Sequence, residues 1–129
     1  MLNKQDIINI LNEKQYPKKE YWITSGAALV IYGVKMETTD IDLGCTTILA
    51  DSFVEKGMPW RVASDGTRII SVQDDIELLE NWCGDDIVEL HGFSVSSLDS
   101  IRREKIRLDR PKDWVDITLI DAFVSLTKK

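Results

Sequence analysis

Two carboxylates set two residues apart, Asp40 and Asp42, sit in the run Thr38-Thr39-Asp40-Ile41-Asp42-Leu43. In an extended strand such residues point the same way, while Ile41 and Leu43 face the opposite side. Paired carboxylates repel unless a cation lies between them. Hard oxygen donors of this kind suit Mg²⁺ or Mn²⁺, which keep some waters and recruit substrate phosphates. The alternative is the wet side of a half-buried strand. About fifteen residues earlier, Ser25-Gly26 follows an apolar strand and opens an apolar helix. A helix start presents free backbone N–H groups and the positive end of its dipole to an anion. Gly26 leaves room for a phosphate to approach, and Ser25 adds a hydroxyl donor. Here the alternative is a tight turn that needs glycine only for its geometry.

The elements around these residues can be read from periodicity and turn chemistry. Ile7, Ile8 and Leu11 behind an Asn3 cap predict a helix over 4–14. Tyr21 to Thr24 reads as a short buried strand, Ala27 to Tyr32 as a helix stopped by Gly33, and Asp40 to Cys45 as a two-faced strand. A third helix is expected over 48–56. Trp60 to Ala63 and Thr67 to Val72 flank Ser64-Asp65-Gly66, which predicts a hairpin. Ile76 to Leu79 and Val88 to Val95 read as further strands, the last interrupted at Gly92. Ser96 and Asp99 have the form of a capping box for a helix to about Leu108. Pro111 suits the first turn of a final helix with Trp114, Ile117, Ile120 and Val124 on one face. The pattern predicts a single α+β domain over residues 1–129, a small mixed sheet flanked by helices.

The 129 residues suit one domain with its own core. Hydrophobic residues make up 43% and charged residues 29%, which argues against a disordered chain. A net charge of −6 excludes a protein that coats nucleic acid non-specifically, because that needs a surplus of cations. The charge is uneven. Residues 74–90 carry seven acids, from Asp74 to Glu89, and no base, whereas 102–112 carry six bases and two acids. No apolar run reaches the roughly 20 residues of a membrane span. The N-terminus lacks an export signal, and Cys45 and Cys83 lack metal spacing, so a cytoplasmic location with reduced thiols is expected. His91 stands alone, and Trp60, Trp82 and Trp114 read as core or half-buried residues. There is no Walker-type phosphate loop.

Taken together, a strand, Ser25-Gly26, an Ala-rich helix, Gly33 and Thr39-Asp40-Ile41-Asp42-Leu43 resemble the DNA polymerase β-type nucleotidyltransferase superfamily. The nearer likeness is to its small bacterial members of abortive-infection and toxin–antitoxin systems. These commonly carry a late Lys, a gap and Arg-x-Lys-Asp-x-x-Asp, which Lys105 and Arg110-Pro111-Lys112-Asp113-Trp114-Val115-Asp116 match. The resemblance spans about residues 21–121. It implies that Ser25 and Gly26 hold phosphate and that Asp40 and Asp42 bind metal. Glu77, in Ile76-Glu77-Leu78, matches the third acid best, with Asp75 as a competitor on the same strand face. Lys105, Arg110 and Lys112 are implied to reach the triphosphate or an anionic acceptor; the alternative is salt bridging to Asp113 and Asp116.

Three positions depart from the family pattern. Ser25 replaces a usual glycine, Met36 with Lys35 beside it replaces a usual basic residue, and Glu77 replaces a usual aspartate. The implied reaction is attack of a hydroxyl on the α-phosphorus of a nucleoside triphosphate with loss of pyrophosphate, dependent on Mg²⁺ or Mn²⁺. A descendant that keeps the fold as a non-catalytic module, as in a toxin–antitoxin pair, is the rival expectation. Larger members add a helical acceptor domain. A chain this short is expected to need a protein partner or an RNA acceptor instead.

Overall fold

The alternation of short apolar strands with capped helices builds one seven-stranded mixed sheet and five helices, seen here in a computed structural model that describes residues 1–73 and 75–127. Of the acidic run, Asp74 lies outside the described residues. The elements in chain order are α1 (Lys4–Lys14), β1 (Tyr21–Thr24), α2 (Ser25–Tyr32), β2 (Ile41–Cys45), α3 (Thr47–Glu55), β3 (Trp60–Val62), β4 (Arg68–Gln73), β5 (Ile76–Glu80), β6 (Ile87–Leu90), β7 (Phe93–Ser96), α4 (Leu98–Leu108) and α5 (Pro111–Thr127). Strand order across the sheet is β3-β4-β5-β2-β1-β7-β6. The β1–β7 and β2–β5 pairs are parallel and the other four antiparallel. The sheet is thus larger than the small one expected.

Period-two alternation sorts the side chains into two rows. Val95, Ile23, Leu43, Leu78 and Ile70 are neighbours across five central strands, and each is fully buried. Helix α2 packs over β1, β2 and β7, and α3 over β4 and β5. One step along the strands, the other face carries Thr24, Asp42, Glu77 and Ser71 in a second row. A one-residue slip would exchange the two rows, so the apolar row fixes where the polar one stands.

Several boundaries differ from the sequence reading. Helix α2 starts at Ser25 rather than Ala27, and Asp40 lies just before β2. The Val88–Val95 segment is a hairpin of two strands rather than one, closed at His91-Gly92 with φ of +52° and +81°. Two left-handed residues match the twist of a tight hairpin, and Gly92 takes that conformation without strain. The cap of α4 is Ser97, whose side chain accepts from the Ser100 amide. Ser96 is instead the last residue of β7, its hydroxyl donating to the Cys83 carbonyl (2.7 Å) and meeting the Thr24 hydroxyl (3.0 Å). On α5, Ile117 and Ile120 are buried, but Trp114 faces outward and is 46% exposed. Both cysteines are buried and unpaired. Among the described residues no helix is long and apolar enough to cross a membrane.

Candidate active site

The end of β1, the start of α2 and the start of β2 meet at one place, and the sheet register brings them there. Thr24, the residue before α2, makes no side-chain capping bond. In α1, α3 and α4, by contrast, Asn3, Thr46 and Ser97 accept from the first-turn amides. The α2 start therefore keeps its positive end free of a capping side chain. Ser25 holds a left-handed backbone, φ +54°, where an L side chain is strained. This is the position at which the resembled family usually has glycine. At Gly26 an added Cβ would stand 3.0 Å from Thr38 Oγ1, so a side chain there would crowd the buried Thr38.

A polar cavity of about 230 Å³ opens at this point. Asp40 and Asp42 line it together with Ser25 and Gly26. Lys105, Arg110 and Lys112 line it too, and so does Lys35. All predicted residues except Glu77 therefore share one space. Asp42 is half-buried, and its carboxyl is pushed up to about 7. Burial does most of this, followed by the negative charges of Asp40 and Glu77, against the opposing pull of Lys105 and Lys112.

Glu77 stands directly beside Asp42 in the parallel β2–β5 register. Its carboxylate is engaged by Arg61 Nη1 at 2.9 Å and by the Ser71 hydroxyl at 3.3 Å. Asp75 goes elsewhere. A register irregularity between Ser71 and Gln73 interrupts the ladder, and Asp75 lines a separate cavity with Ile10, Glu13 and Lys14 of α1. Among the described residues no three His, Cys, Asp or Glu side chains are gathered closely enough to enclose a metal ion.

The cations are set by acids that sequence reasoning named only as an alternative. Asp113 and Asp116, one helical turn apart on α5, are both buried. Lys105 Nζ lies 2.9 Å from Asp116 and 3.8 Å from Asp113, with its side chain 7% exposed. Arg110 forms a two-bond fork onto Asp113, at 2.7 and 3.0 Å. Burial raises the Asp113 carboxyl, but the Arg110 contacts and the Lys105 charge outweigh it and leave the carboxyl below its ordinary value. Asp116 also holds Lys35 at 3.3 Å. Lys35 is thus fixed at the cavity wall, whereas Met36 beside it is 87% exposed. Lys112 forms no ion pair with any described residue.

A second cavity, of about 210 Å³, adjoins the first. Its apolar wall comes from Ala63, Ile69, Leu79, Trp82, Ile101 and Leu108. Sequence reasoning missed it, because its wall is drawn from the hairpin, β5, the following loop and α4. Trp82 is held in place from behind: Trp22 Nε1 donates to its carbonyl at 2.9 Å. The Trp22 indole itself fills the space over Gly44 and Gly84, where a Cβ would fall 1.9 and 2.4 Å from it.

No family model matches the chain, and no curated protein sequence matches it. Among solved structures it is similar to the crystal structure of ANT(2")-Ia in complex with adenylyl-2"-tobramycin, an aminoglycoside nucleotidyltransferase. The two share 16% sequence identity with a TM-score of 0.58, over 96% of this chain and 88% of that one. The fold of this chain is nucleotidyltransferase-like.

Proposed function

We propose that the chain is a metal-dependent nucleotidyltransferase, moving a nucleoside monophosphate from a nucleoside triphosphate to a hydroxyl acceptor. The observation that carries this reading is the polar cavity. It joins an uncapped helix start, the Asp40–Asp42 pair, and four cations of which three are held by Asp113 and Asp116 in the same lining. Burial, with the Asp40 and Glu77 charges added, disfavours the ionised Asp42 carboxyl, a cost that a bound divalent cation would offset, and the carboxylates offer hard oxygen donors. Asp40 and Asp42 would hold Mg²⁺ or Mn²⁺, and Glu77 would join them on release from Arg61. When bound, the metal stabilises charge on the attacking and leaving oxygens.

The remaining work falls to the chain's own residues. The α2 amides and the Ser25 hydroxyl hold a phosphate, while Lys35 and Lys112 balance charge on the departing pyrophosphate. The acceptor oxygen forms its bond to the α-phosphorus as the bond to the bridging oxygen breaks. Pyrophosphate leaves with that electron pair, and the acceptor proton passes to a Glu77 carboxylate oxygen. Buried, unpaired thiols fit a reducing compartment, so we place the reaction in the cytoplasm.

One observation favours a second reading, a non-catalytic nucleotide-binding module such as a toxin–antitoxin component. The Arg61–Glu77 ion pair holds the third acid away from a cation. Incubation with Mg²⁺ and each α-labelled triphosphate, with and without total RNA, separates the two. Transfer of label to RNA, protein or a small molecule supports the enzyme. Metal-dependent binding without transfer supports the module, and absence of binding overturns both.

A further inference from the structure

We infer that the apolar cavity beside Asp42 seats the nucleoside of the donor, so that one triphosphate spans both cavities. This rests on the nucleotidyltransferase reading and adds to it a place for each part of the donor. The two cavities share four lining residues: Ser25, Asp42, Lys105 and Arg110. On one side of this common wall the surroundings are charged and hydroxylic. On the other side they are mainly apolar, with Trp82 among the aliphatic residues and Asp65 and Thr67 as the polar ones.

A nucleoside triphosphate has the same two-part character, a charged chain and a flat apolar base, joined at the α-phosphorus. Laid across the wall, it brings that atom beside Asp42 and Ser25, where the proposed reaction needs it. Together the cavities reach the lower part of the roughly 300–1,000 Å³ range of small-molecule pockets. At the rim, Asp65 of the β3–β4 turn and Arg107 of α4 pair at 3.1 Å. Their ion pair joins the turn to α4, the two elements that contribute Asp65 and Leu108 to the lining. Thr67 lies beside Asp65 in the lining. Glu77, the proton acceptor of the proposed reaction, does not line this cavity.

Filling the cavity tests the assignment. Leu79→Trp closes it from the sheet, and Ala63→Phe closes it from the hairpin end should the first variant fold poorly. Binding of ATP, GTP, CTP, UTP and inorganic tripolyphosphate is titrated calorimetrically with Mg²⁺. The expected result is a tenfold or greater loss of affinity for the preferred nucleotide, with tripolyphosphate unchanged within twofold. Unchanged nucleotide binding in both variants overturns the nucleoside seat and assigns the cavity to the acceptor or to nothing. Equal loss of nucleotide and tripolyphosphate in a folded variant overturns it as well. A wild-type protein that binds neither probe overturns the nucleotidyltransferase reading itself.

Discussion

Lys105 of α4 and Asp116 of α5 pair at 2.9 Å with almost no exposure to water, and Asp116 holds Lys35 in the same grasp. Two lysines from opposite ends of the chain are thereby fixed at one cavity wall. Removing one partner of a buried pair leaves a charge with nothing to offset its desolvation, at a cost of about 3–5 kcal/mol. The two partners differ in what they leave behind. Without Asp116, Lys105 retains only Asp113, at 3.8 Å. Without Lys105, Asp116 keeps Lys35 and Asp113 keeps Arg110. Asp116→Ala is therefore expected to cost about 3 kcal/mol and Lys105→Met about 1 kcal/mol, read by urea unfolding. Equal losses would show that Lys35 and Arg110 do not sustain the acids.

Asp42 is expected to trade stability for binding. Its carboxyl, raised to about 7 by burial and by Asp40 and Glu77, is mainly ionised at pH 8. The folded state then carries a charge that the unfolded chain accommodates more easily in water. Asp42→Asn should stabilise the ligand-free protein at pH 8 by about 1–2 kcal/mol, after allowing for partial exposure. A raised carboxyl value means that the folded state takes up a proton the unfolded chain does not hold between about pH 7 and pH 4. Wild-type stability thus rises as pH falls through 7, and the gap between the two proteins closes. The same variant should lose Mg²⁺-dependent nucleotide binding. Unfolding free energies at pH 8, 6 and 5 check the first part, and calorimetric titration checks the second.

Ser25 carries a left-handed backbone that glycine adopts without penalty. Ser25→Gly should raise stability by about 0.5–1 kcal/mol, a few degrees in Tm, the larger freedom of glycine in the unfolded chain offsetting part of the gain. It also removes a hydroxyl from the phosphate end of the cavity, so nucleotide affinity should fall several-fold. A scanning calorimetry trace that shifts downward would show that the strain is not relieved.

The Ser25-Gly26 turn and the Asp pair were legible in the sequence because their geometry is local. A strand, a glycine turn and a two-residue alternation fix where Ser25, Asp40 and Asp42 point. The choice between Glu77 and Asp75 was not legible, because both share a strand parity. Their positions part only through strand pairing: Asp75 falls before β5, near an irregularity at Gln73, and lines the α1 cavity, while Glu77 stands beside Asp42 without lining the cavity that Asp42 shares with Asp40. Ser96 and Ser97 are equally good caps by type, and pairing of Ser96 with Ile87 draws it into β7. Asp113 and Asp116 read as ordinary charges on a helix. Their burial depends on α4 lying against α5, which no local pattern specifies. His91-Gly92 did carry a hairpin signal in its glycine, overlooked because apolar residues run on both sides of it. Most of the basic run from Arg102 proved to be ion-paired surface, leaving Lys112 as the cation without a partner among the described residues.

The long reach of the Lys35–Asp116 contact has a consequence in time. The central sheet and α2 can form from the first hundred residues, while Lys105, Arg110 and Asp116 arrive with the last two helices. Contacts between such distant segments close late, because ordering the intervening chain must come first. A nascent chain therefore has every residue of the sheet and the Asp pair before it has the complete set of cations. Docking of α5 completes the chemistry of the cavity in the same step that completes the fold.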